Sequence, residues 1–399
     1  MMTLISLEFY KMLRRKSFCI GLALLFCYCA AVYVNRVDPF GSQYHIQNKD
    51  GSVMEGQEAV ELEREQTQRY CGELTDEAVW EMYCDLMKDQ EAGQEGTQPE
   101  LSGGYPQRVL KQFFLPYTQR ETFVDGEWQT ESVGGNLNKD QLFQIGELFP
   151  ESVLPLEFGY SVPWSRMLQS LIAGMFALNL FIMLAVSPLF SEEYTQRMNA
   201  LLFTSKCGRK KCFTAKVAAA FLMGLMLILG MVLLHVLVTL ALFGGEGLSC
   251  SIQLTEPFLF QGVSDAKTVG TALMDAVFLY TAGILLTLGM AVLASVLASN
   301  LLTATVYTLV LFWIPGFLTG ASNQPQIFLL FPIGHNTRFH DVLMIPHWRT
   351  RFADIPYIYV ITVLLLTFCA ALIWGAWKSY EKMPEEGLMK QKGKSGHAS

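Results

Sequence analysis

The sequence predicts an all-α integral membrane protein with six transmembrane helices and a large, mostly helical extracytoplasmic insertion between spans one and two. Three observations lead to this fold class. Only 16% of the 399 residues are charged and 51% are hydrophobic, whereas soluble domains carry about 25% charged residues. A run of 62 residues, 276–337, contains no Asp, Glu, Lys or Arg. The acidic residues are concentrated instead between residues 36 and 165.

The spans follow from the charge-free windows, because a helix needs about 20 mainly apolar residues to cross the hydrocarbon core. The longest window divides at Ser299-Asn300, a pair typical of turns. Residues 327–333 are apolar but too short to cross, so they predict a re-entrant or interfacial piece within the loop 323–354. The six predicted spans are residues 17–35, 167–190, 217–245, 272–298, 301–322 and 355–377.

The distribution of Lys and Arg predicts a multi-pass protein of the cell membrane with both termini cytoplasmic. Fifteen basic residues lie in the N-terminal segment, the loop 191–216 and the tail 378–399, against four in the short loops of the other side. Short loops rich in Lys and Arg stay on the cytoplasmic side. The alternative for the first span is a cleaved signal peptide, but the span is long for one and its cleavage site is weak.

Residues 36–166 form the predicted extracytoplasmic domain. Positions 36–165 carry 24 acidic and 9 basic residues, and a disordered acidic linker is one interpretation of them. The many aromatic residues in the segment favour a folded domain instead. Thr75 predicts the N-cap of a helix, and the Asp-Gly pair at 125–126 predicts a β-hairpin.

Nine cysteines are scattered along the chain, and five of them lie in apolar stretches. Their spacing indicates neither a disulfide framework nor a zinc site. Cys71 and Cys84 are the two cysteines of the insertion. On one helix they would be about 20 Å apart, whereas a disulfide needs Cα atoms within about 7 Å. We therefore expect both to remain thiols.

Residues 1–16 predict an amphipathic helix ahead of span one. Glu8, Lys11 and Arg15 share one helical face, and the opposite face is apolar. Such a helix lies in the membrane interface before the chain enters the bilayer. The alternative is a plain basic anchor that flanks the span.

Residues 191–211 predict a capped helix in the cytoplasmic loop. Ser191 is the expected N-cap, Glu192 and Glu193 lie in the first turn, and Gly208 can end the helix. An apolar stripe follows the acidic pair, and it consists of Met198, Leu201 and Leu202. An exposed stripe of this kind favours a partner protein, whereas the alternative is an ordinary loop held at the anionic leaflet by its basic residues.

This arrangement resembles the membrane permease subunits of the ABC-2 class of bacterial ABC exporters. The resemblance rests on the basic N-terminal helix, on the long outside loop, and on a second span that runs into Phe190-Ser191-Glu192-Glu193. It rests further on Gly208-Arg209-Lys210-Lys211 and Lys216 before span three. Tyr194 follows the acidic pair, where many relatives have Arg. The resemblance covers the membrane part of the chain and not the insertion.

The resemblance implies a half-transporter without chemistry of its own. Its N-terminal elbow helix and its loop after span two, with Glu192, Glu193 and the apolar stripe, would contact a separate ABC ATPase subunit. ATP and Mg²⁺ would bind to that subunit and no cofactor to this chain. Further partners would be the lipid bilayer and a second permease copy or paralogue.

Small residues in the spans predict close helix contacts. They include Ala291 and Ser295 on span four and the pair Gly316 and Gly320 on span five, and either set is a candidate for the seam between two permeases. His335, His340 and His347 lie near Asp341, but their spacing fits no single helical face, so we predict no metal site.

The sequence lacks features that an ATP-hydrolysing enzyme or a nucleic-acid-binding protein would need. There is no complete phosphate-binding Gly-x-x-x-x-Gly-Lys-Ser/Thr motif, and Gly393-Lys394-Ser395 lies in a polar tail, so the chain is not itself predicted to be an enzyme. The net charge of −7 argues against a nucleic-acid partner. One rival is a membrane-anchored sensor or interaction protein whose acidic ectodomain binds a peptide, and another is an integral-membrane enzyme.

Overall fold

The structure is a computed structural model that describes most of the chain. The described residues are 1–38, 45–47, 53–92, 104–115, 120–124, 127–131, 137–195, 208–256, 260, 262–263, 265–320, 348–349 and 354–395. The predicted apolar stripe, Met198, Leu201 and Leu202, lies outside them, as do the predicted re-entrant piece and the histidines near Asp341.

The helices and strands are numbered here in chain order. The helices are α1 (Met2–Leu13), α2 (Lys16–Val37), α3 (Gln57–Gln68), α4 (Asp76–Ala92), α5 (Tyr105–Val109), α6 (Ile145–Leu148), α7 (Val162–Val186), α8 (Pro188–Thr195), α9 (Gly208–Phe243), α10 (Val269–Leu297), α11 (Leu301–Gly320) and α12 (Tyr357–Ser395). The strands are β1 (His45–Gln47), β2 (Val53–Glu55), β3 (Gly72–Glu73), β4 (Arg120–Val124), β5 (Glu127–Glu131), β6 (Glu157–Phe158), β7 (Trp348–Arg349) and β8 (Asp354–Ile355). The strands pair antiparallel in twos, as β1–β2, β3–β6, β4–β5 and β7–β8.

The chain divides into two compact units. The first, called here the helical unit, comprises Met1–Val32, Gln169–Val236 and Met274–Ser399. The second, called here the insertion unit, comprises Tyr33–Leu168 and Leu237–Leu273. The insertion unit therefore includes a second segment of the chain, to which the sequence analysis assigned no fold.

The chain is predominantly helical, and five helical segments among the described residues are long and apolar enough to cross a membrane. They are Lys16–Val37, Val162–Glu192, Gly208–Phe243, Val269–Leu297 and Tyr357–Lys382. Each overlaps one predicted span, which confirms a multi-pass membrane protein. The orientation of the termini stays a prediction.

The predicted fifth span corresponds to α11. Asn300 begins this helix as its cap, because its Oδ1 accepts a hydrogen bond of 2.9 Å from the Thr303 N–H. The break predicted at Ser299-Asn300 is thus confirmed. The apolar part of the helix that is described, Leu301–Trp313, is shorter than the other five. The sixth crossing therefore stays a prediction.

Two predicted boundaries on the side of the basic loops are wrong. Gly208 begins α9 instead of ending a helix, and three basic residues form the first turn of that helix. Ser191 lies inside α8, which begins at Pro188, and its Oγ donates to the Ser187 carbonyl at 3.1 Å. Ser191 is therefore not an N-cap, and Glu192 and Glu193 lie in the second turn of α8. Both predicted boundaries follow the change from apolar to charged residues at the end of a span, whereas the helices themselves begin elsewhere.

The insertion unit contains helices α3–α6 and strands β1–β6. Thr75 caps α4, since its Oγ1 accepts a hydrogen bond of 3.3 Å from the Ala78 N–H. Strands β4 and β5 form the predicted hairpin, with Val124 opposite Glu127. The largest core of this unit consists of Leu74, Val79, Met82, Tyr83, Leu86, Tyr105, Val109, Leu110, Phe114, Leu142, Ile145, Phe149, Val153, Leu156, Phe158, Tyr160, Val162 and Leu254. Three of the aromatic residues that predicted a folded domain, Tyr83, Phe114 and Phe149, are thus in its core.

Candidate functional site

The candidate site lies in the helical unit, where α1 meets α8 and the beginning of α9. Arg15, in the short link between α1 and α2, forms an ion pair with Glu192 on α8. The Arg15 side chain is 22% exposed and that of Glu192 is 45% exposed. The pair joins two residues that are 177 positions apart in the sequence. It connects the N-terminal helix directly to the end of the second candidate span.

A second and more deeply buried ion pair lies beside the first. Lys216 on α9 donates to Glu8 Oε2 at 3.0 Å, and Lys11 donates to Glu8 Oε1 at 2.9 Å. The Glu8 and Lys216 side chains are 10% and 4% exposed, whereas Lys11 is 55% exposed. Glu8 therefore lies inside the protein, and not on a free polar face of the helix.

The electrostatics of Glu8 follow from these contacts. Burial alone raises the pKa of a carboxyl group, because the charged form loses its hydration. Here the positive charges and hydrogen bonds of Lys216 and Lys11 outweigh burial, so the pKa of Glu8 lies below its ordinary value of 4.5. Glu8 is consequently ionised at neutral pH, and the pair is a true ion pair.

Lys216 also connects α9 to α8. Its ammonium group donates a second hydrogen bond, of 3.0 Å, to the Leu189 carbonyl. It lies 5.7 Å from the centre of the Phe190 ring, within the range of a cation–π contact. One buried ammonium group thus holds α1 and α8 against the beginning of α9.

The Phe190 ring belongs to an aromatic cluster that brings in α12. Its centroid lies 5.4 Å from that of Phe213 on α9 and 5.4 Å from that of Tyr380 on α12. Trp377 packs edge-on against Phe213 at 5.2 Å. Rings at these separations attract one another beyond the free energy of their burial. Three helices, α8, α9 and α12, are thereby connected around the start of α8.

The N-terminal end of α8 receives its cap from a different helix. The Phe190 N–H donates to Ser295 Oγ on α10 at 2.8 Å, and the Ser191 N–H reaches the same oxygen at 3.3 Å. The first N–H groups of a helix have no partner within it. Ser295 and its neighbour Ala291 are fully buried within this chain. Neither residue is therefore available for a seam with a second copy of the chain. The other predicted pair, Gly316 and Gly320, remains a candidate, and its packing lies outside what the structure describes.

The predicted N-terminal helix is present, but its faces differ from the prediction. Glu8 and Met12 are buried, whereas the apolar Leu4, Leu7 and Tyr10 are exposed. Arg15 lies beyond the last residue of α1, so it does not share a helical face with Glu8 and Lys11. The exposed apolar residues fit an interfacial helix. The partner of Glu8, Lys216, is 208 positions away in the sequence, so helical spacing placed Glu8 on a face with Lys11 and Arg15 without indicating its burial.

Two buried polar side chains within the spans of the helical unit, Asn179 and His235, form hydrogen bonds. Asn179 donates to the Met175 carbonyl at 3.1 Å and accepts from Thr287 Oγ1 at 2.7 Å. His235 is buried, with Nδ1 at 2.9 Å from the Met231 carbonyl and Nε2 at 3.4 Å from Ser170 Oγ. Such pairs join neighbouring helices, because polar groups in hydrocarbon need partners.

A second buried charge cluster lies in the insertion unit. Arg108 on α5 forms ion pairs with Glu63 on α3 and with Glu256, and Arg166 lies 3.8 Å from Glu256. The Glu63 side chain is fully buried, and the Tyr160 hydroxyl donates to it at 3.4 Å. Burial raises the pKa of Glu63, and the positive charge of Arg108 opposes that rise.

The cluster fastens the second segment of the insertion unit to the first. Tyr105 donates a hydrogen bond of 2.9 Å to the Leu254 carbonyl. The Ser251 N–H donates to the Glu157 carbonyl at 2.8 Å, and Ser251 Oγ accepts from the Glu157 N–H at 2.9 Å. Residues near 250 are therefore part of the domain. Their buried polar residues give no periodic pattern from which the sequence could have predicted this.

The described residues include scattered His, Cys, Asp and Glu side chains and small clefts in the insertion unit. They hold no group of three His, Cys, Asp or Glu side chains placed to bind a metal ion. Two clefts of the insertion unit, beside Lys139 and beside Tyr160, have volumes of about 230 and 150 Å³. Small-molecule sites usually measure about 300–1,000 Å³. The arrangement around Glu8 and Glu192 connects α1, α8 and α9 to one another through ion pairs.

Comparison of the chain with protein-family models, with characterised proteins and with solved structures finds no match.

Proposed function

We propose that this protein is the membrane permease subunit of an ATP-driven ABC exporter. The observation that carries the proposal is the bracing of α8 and α9 by the N-terminal segment, α8 through Arg15–Glu192 and α9 through Glu8–Lys216. The segment 196–207 between α8 and α9 includes the apolar stripe that the sequence assigns to an ATPase contact. Its two flanking helices are held by the N-terminal helix. That is the arrangement expected of a segment that receives force from outside the membrane.

The proposed path of force begins at the apolar stripe and enters α8. From α8 it reaches α10 through the bond between Phe190 and Ser295, and α9 through Lys216. The aromatic cluster around Phe190 carries it to α12. Closely packed side chains transmit displacement because protein interiors are dense and hardly compressible. Movement of one short helix would thus shift three candidate spans together.

The partners in this proposal are a separate ABC ATPase subunit, a second permease copy or paralogue and the lipid bilayer. ATP and Mg²⁺ would bind to the ATPase, and this chain would hydrolyse nothing. Both termini would be cytoplasmic, and the insertion unit would face the outside of the cell membrane. The six-span topology and the seam at Gly316 and Gly320 belong to the same proposal.

The test is co-purification with an ATPase encoded beside this chain. Burial of the stripe Met198, Leu201 and Leu202 is worth roughly 1.5–3 kcal/mol per side chain before ordering costs. Leu201→Asp should therefore reduce the recovered ATPase at least about tenfold, since 1.4 kcal/mol corresponds to a factor of ten. The matched control is Leu148→Asp on α6, because Leu148 is an exposed leucine of the insertion unit. It should leave the ATPase yield unchanged.

The outcomes separate the proposal from its rivals. Unchanged ATPase recovery with Leu201→Asp, at normal expression, removes the coupling role and leaves the segment an interfacial connector. Saturable binding of a peptide to the insertion unit, without any ATPase partner, favours a membrane-anchored sensor instead. Accessibility labelling of a cysteine placed at residue 100 tests the topology, because labelling only from the cytoplasm contradicts it.

A further inference from the structure

Two thiols of the insertion unit converge on one glycine. The sulfur of Cys250 lies 2.9 Å, and that of Cys71 3.5 Å, from the point where a Cβ atom on Gly159 would sit. The two sulfur atoms are therefore no farther apart than the sum of these distances. Cys71 lies just before β3 and Cys250 lies in the segment between α9 and α10, so the sequence gives no hint of their proximity.

Backbone pairing places both thiols at this position. Gly72 lies opposite Phe158 in the antiparallel β3–β6 pair, so Cys71 comes next to Gly159. On the other side, the Ser251 N–H donates to the Glu157 carbonyl at 2.8 Å, which brings Cys250 to the same strand. The two side chains thus approach one another across a residue that has no side chain of its own.

The glycine itself points to the close approach. Gly72 and Gly247 in the same unit have φ angles of 123° and 90°, which favour glycine for conformational reasons. Gly159 is not among the glycines of positive φ. Its lack of a Cβ is instead explained by the two sulfur atoms, because a methyl group there would collide with Cys250 Sγ.

We propose that Cys71 and Cys250 form a disulfide bond when the insertion unit meets a disulfide-bearing oxidant. The Cys71 thiolate attacks one sulfur of the oxidant RSSR, which forms a mixed disulfide and releases RS⁻. The Cys250 thiolate then attacks Cys71 Sγ and releases the second RS⁻. Two thiols are oxidised, one disulfide is reduced to two thiols, and the protons pass to water. Cys71 reacts first because it is exposed, whereas Cys250 is 6% exposed.

The bond requires a limited movement. Sulfur atoms in a disulfide are about 2.0 Å apart, and a change of χ1 rotamer moves a cysteine sulfur by about 3 Å. Burial raises the pKa of Cys250 to about 12 and raises that of Cys71 as well. Because the thiolate is the nucleophile and the pKa of Cys71 lies above its ordinary value of 9.0, the oxidation should be more than about tenfold faster at pH 9 than at pH 7.

The disulfide would fasten the second segment of the insertion unit covalently. In the reduced protein this segment is held against the rest of the insertion unit by non-covalent contacts. They include the hydrogen bond between Ser251 and Glu157 and the ion pair of 2.8 Å between Arg64 and Glu246. In the cell the reaction rests on the proposed outward orientation, since disulfides persist in oxidising compartments. With purified protein it depends only on the structure, so its failure is distinguishable from a failure of the proposed topology.

The experiment uses the full chain, purified in detergent, with oxidised glutathione as the probe. After oxidation the free thiols are alkylated, the protein is digested without reductant, and cross-linked peptides are identified by mass. We expect a reducible link between the peptides of Cys71 and Cys250. Cys84→Ser should keep this link, whereas Cys71→Ser should abolish it. A link between Cys71 and Cys84 in its place, or no link under oxidation, would overturn the proposal.

A second variant tests the role of the glycine. Gly159→Ala places a methyl group between the two sulfur atoms and should lower the yield of the linked peptides at least tenfold. Gly146→Ala is the matched control, because a Cβ there would meet no atom within 4 Å. Both variants are compared by gel filtration and thermal unfolding before oxidation. An undiminished yield in a folded Gly159→Ala protein would contradict the geometry on which the proposal stands.

Discussion

Glu8 on the N-terminal helix and Lys216 on α9 form a buried ion pair of 3.0 Å, with the two side chains 10% and 4% exposed. Removal of one partner from such a pair leaves an uncompensated buried charge, which costs about 3–5 kcal/mol. This relationship makes the N-terminal helix an integral part of the helical unit. A peripheral anchor would not bury its acidic residue against a lysine from another helix.

The first prediction is that Lys216→Met destabilises the protein by about 3–5 kcal/mol, because the Glu8 carboxylate loses its principal partner. The measurement is thermal unfolding in detergent. Lys11→Met is the control, since Lys11 is 55% exposed, and exposed pairs contribute only about 0–1 kcal/mol. The double variant Glu8→Gln/Lys216→Met should recover part of the loss. Equal effects of Lys11→Met and Lys216→Met would contradict a buried pair.

The second prediction concerns pH. The pKa of Glu8 in the folded protein lies below its ordinary value of 4.5, so the folded state favours the ionised carboxyl group. Its contribution to stability is therefore fully present above pH 4.5 and is lost as the pH falls through the lowered pKa. The stability difference between the native protein and Glu8→Gln, measured from pH 7 down to pH 4 and below, should shrink on acidification. A difference that grows toward low pH would give the opposite sign and exclude an ionised Glu8.

The membrane part of the fold was largely predictable, because charge-free windows of span length have few other structures available to them. The ends of these helices were less predictable. α9 begins at Gly208, nine residues before the predicted start of span three. Its first turn carries three basic residues and is helical all the same, so charge does not mark the end of the helix. The same reason explains why α8 begins at Pro188 and not after Ser191.

The candidate site was predictable only in part, because ion pairs between distant residues leave no trace in one sequence. Glu192 and Arg15 were singled out separately, for a capping role and for a polar face, and the structure pairs them with each other. Lys216 was counted as a positive charge and as part of the basic stretch before span three, without a partner. Ser295 was assigned to helix packing, and its hydroxyl group in fact caps α8. Residue type and position indicated that these side chains take part in the site. Their interaction partners became known only from the three-dimensional structure.

The third prediction is that reversing the charge of Arg15 or of Glu192 alone lowers the recovery of a partner ATPase, and that reversing both charges restores it. Arg15→Glu alone, or Glu192→Arg alone, places like charges together and should lower recovery of a partner ATPase by a few-fold. The effect is modest because the pair is partly exposed and such pairs contribute about 0–1 kcal/mol. The double reversal should return the yield to that of the native protein. If the double variant behaves as the sum of the single variants, the pair does not position α8.

The fourth prediction tests the cap supplied by Ser295. Ser295→Ala removes the acceptor of the Phe190 N–H, which is buried, and should cost about 1–2 kcal/mol of stability. Ser299→Ala is the control, because Ser299 is exposed and lies just after the end of α10. It should change stability by less than about 0.5 kcal/mol. Hydrogen exchange of the α8 amides gives a local readout. Unchanged protection of the Phe190 amide in Ser295→Ala would mean that the hydroxyl group does not cap the helix.

The fifth prediction concerns the charge cluster of the insertion unit. Arg108→Met leaves Glu63 fully buried without its guanidinium partner, so we expect a loss of about 3–5 kcal/mol at neutral pH. Burial already raises the pKa of Glu63, and loss of Arg108 raises it further. A carboxyl group with a raised folded-state pKa stabilises the folded state below its ordinary value of 4.5 and loses that contribution as the pH rises.

The Arg108→Met protein should therefore be closest to the native protein in stability near pH 4.5 and fall further behind it toward pH 8. Limited proteolysis of the insertion unit across this pH range measures the difference. Arg64→Met is the matched control, because Arg64 is 42% exposed in its pair with Glu246, and it should show a small change without pH dependence. A pH-independent loss in Arg108→Met would mean that packing of the arginine stem, and not its charge, holds α3 and α5 together.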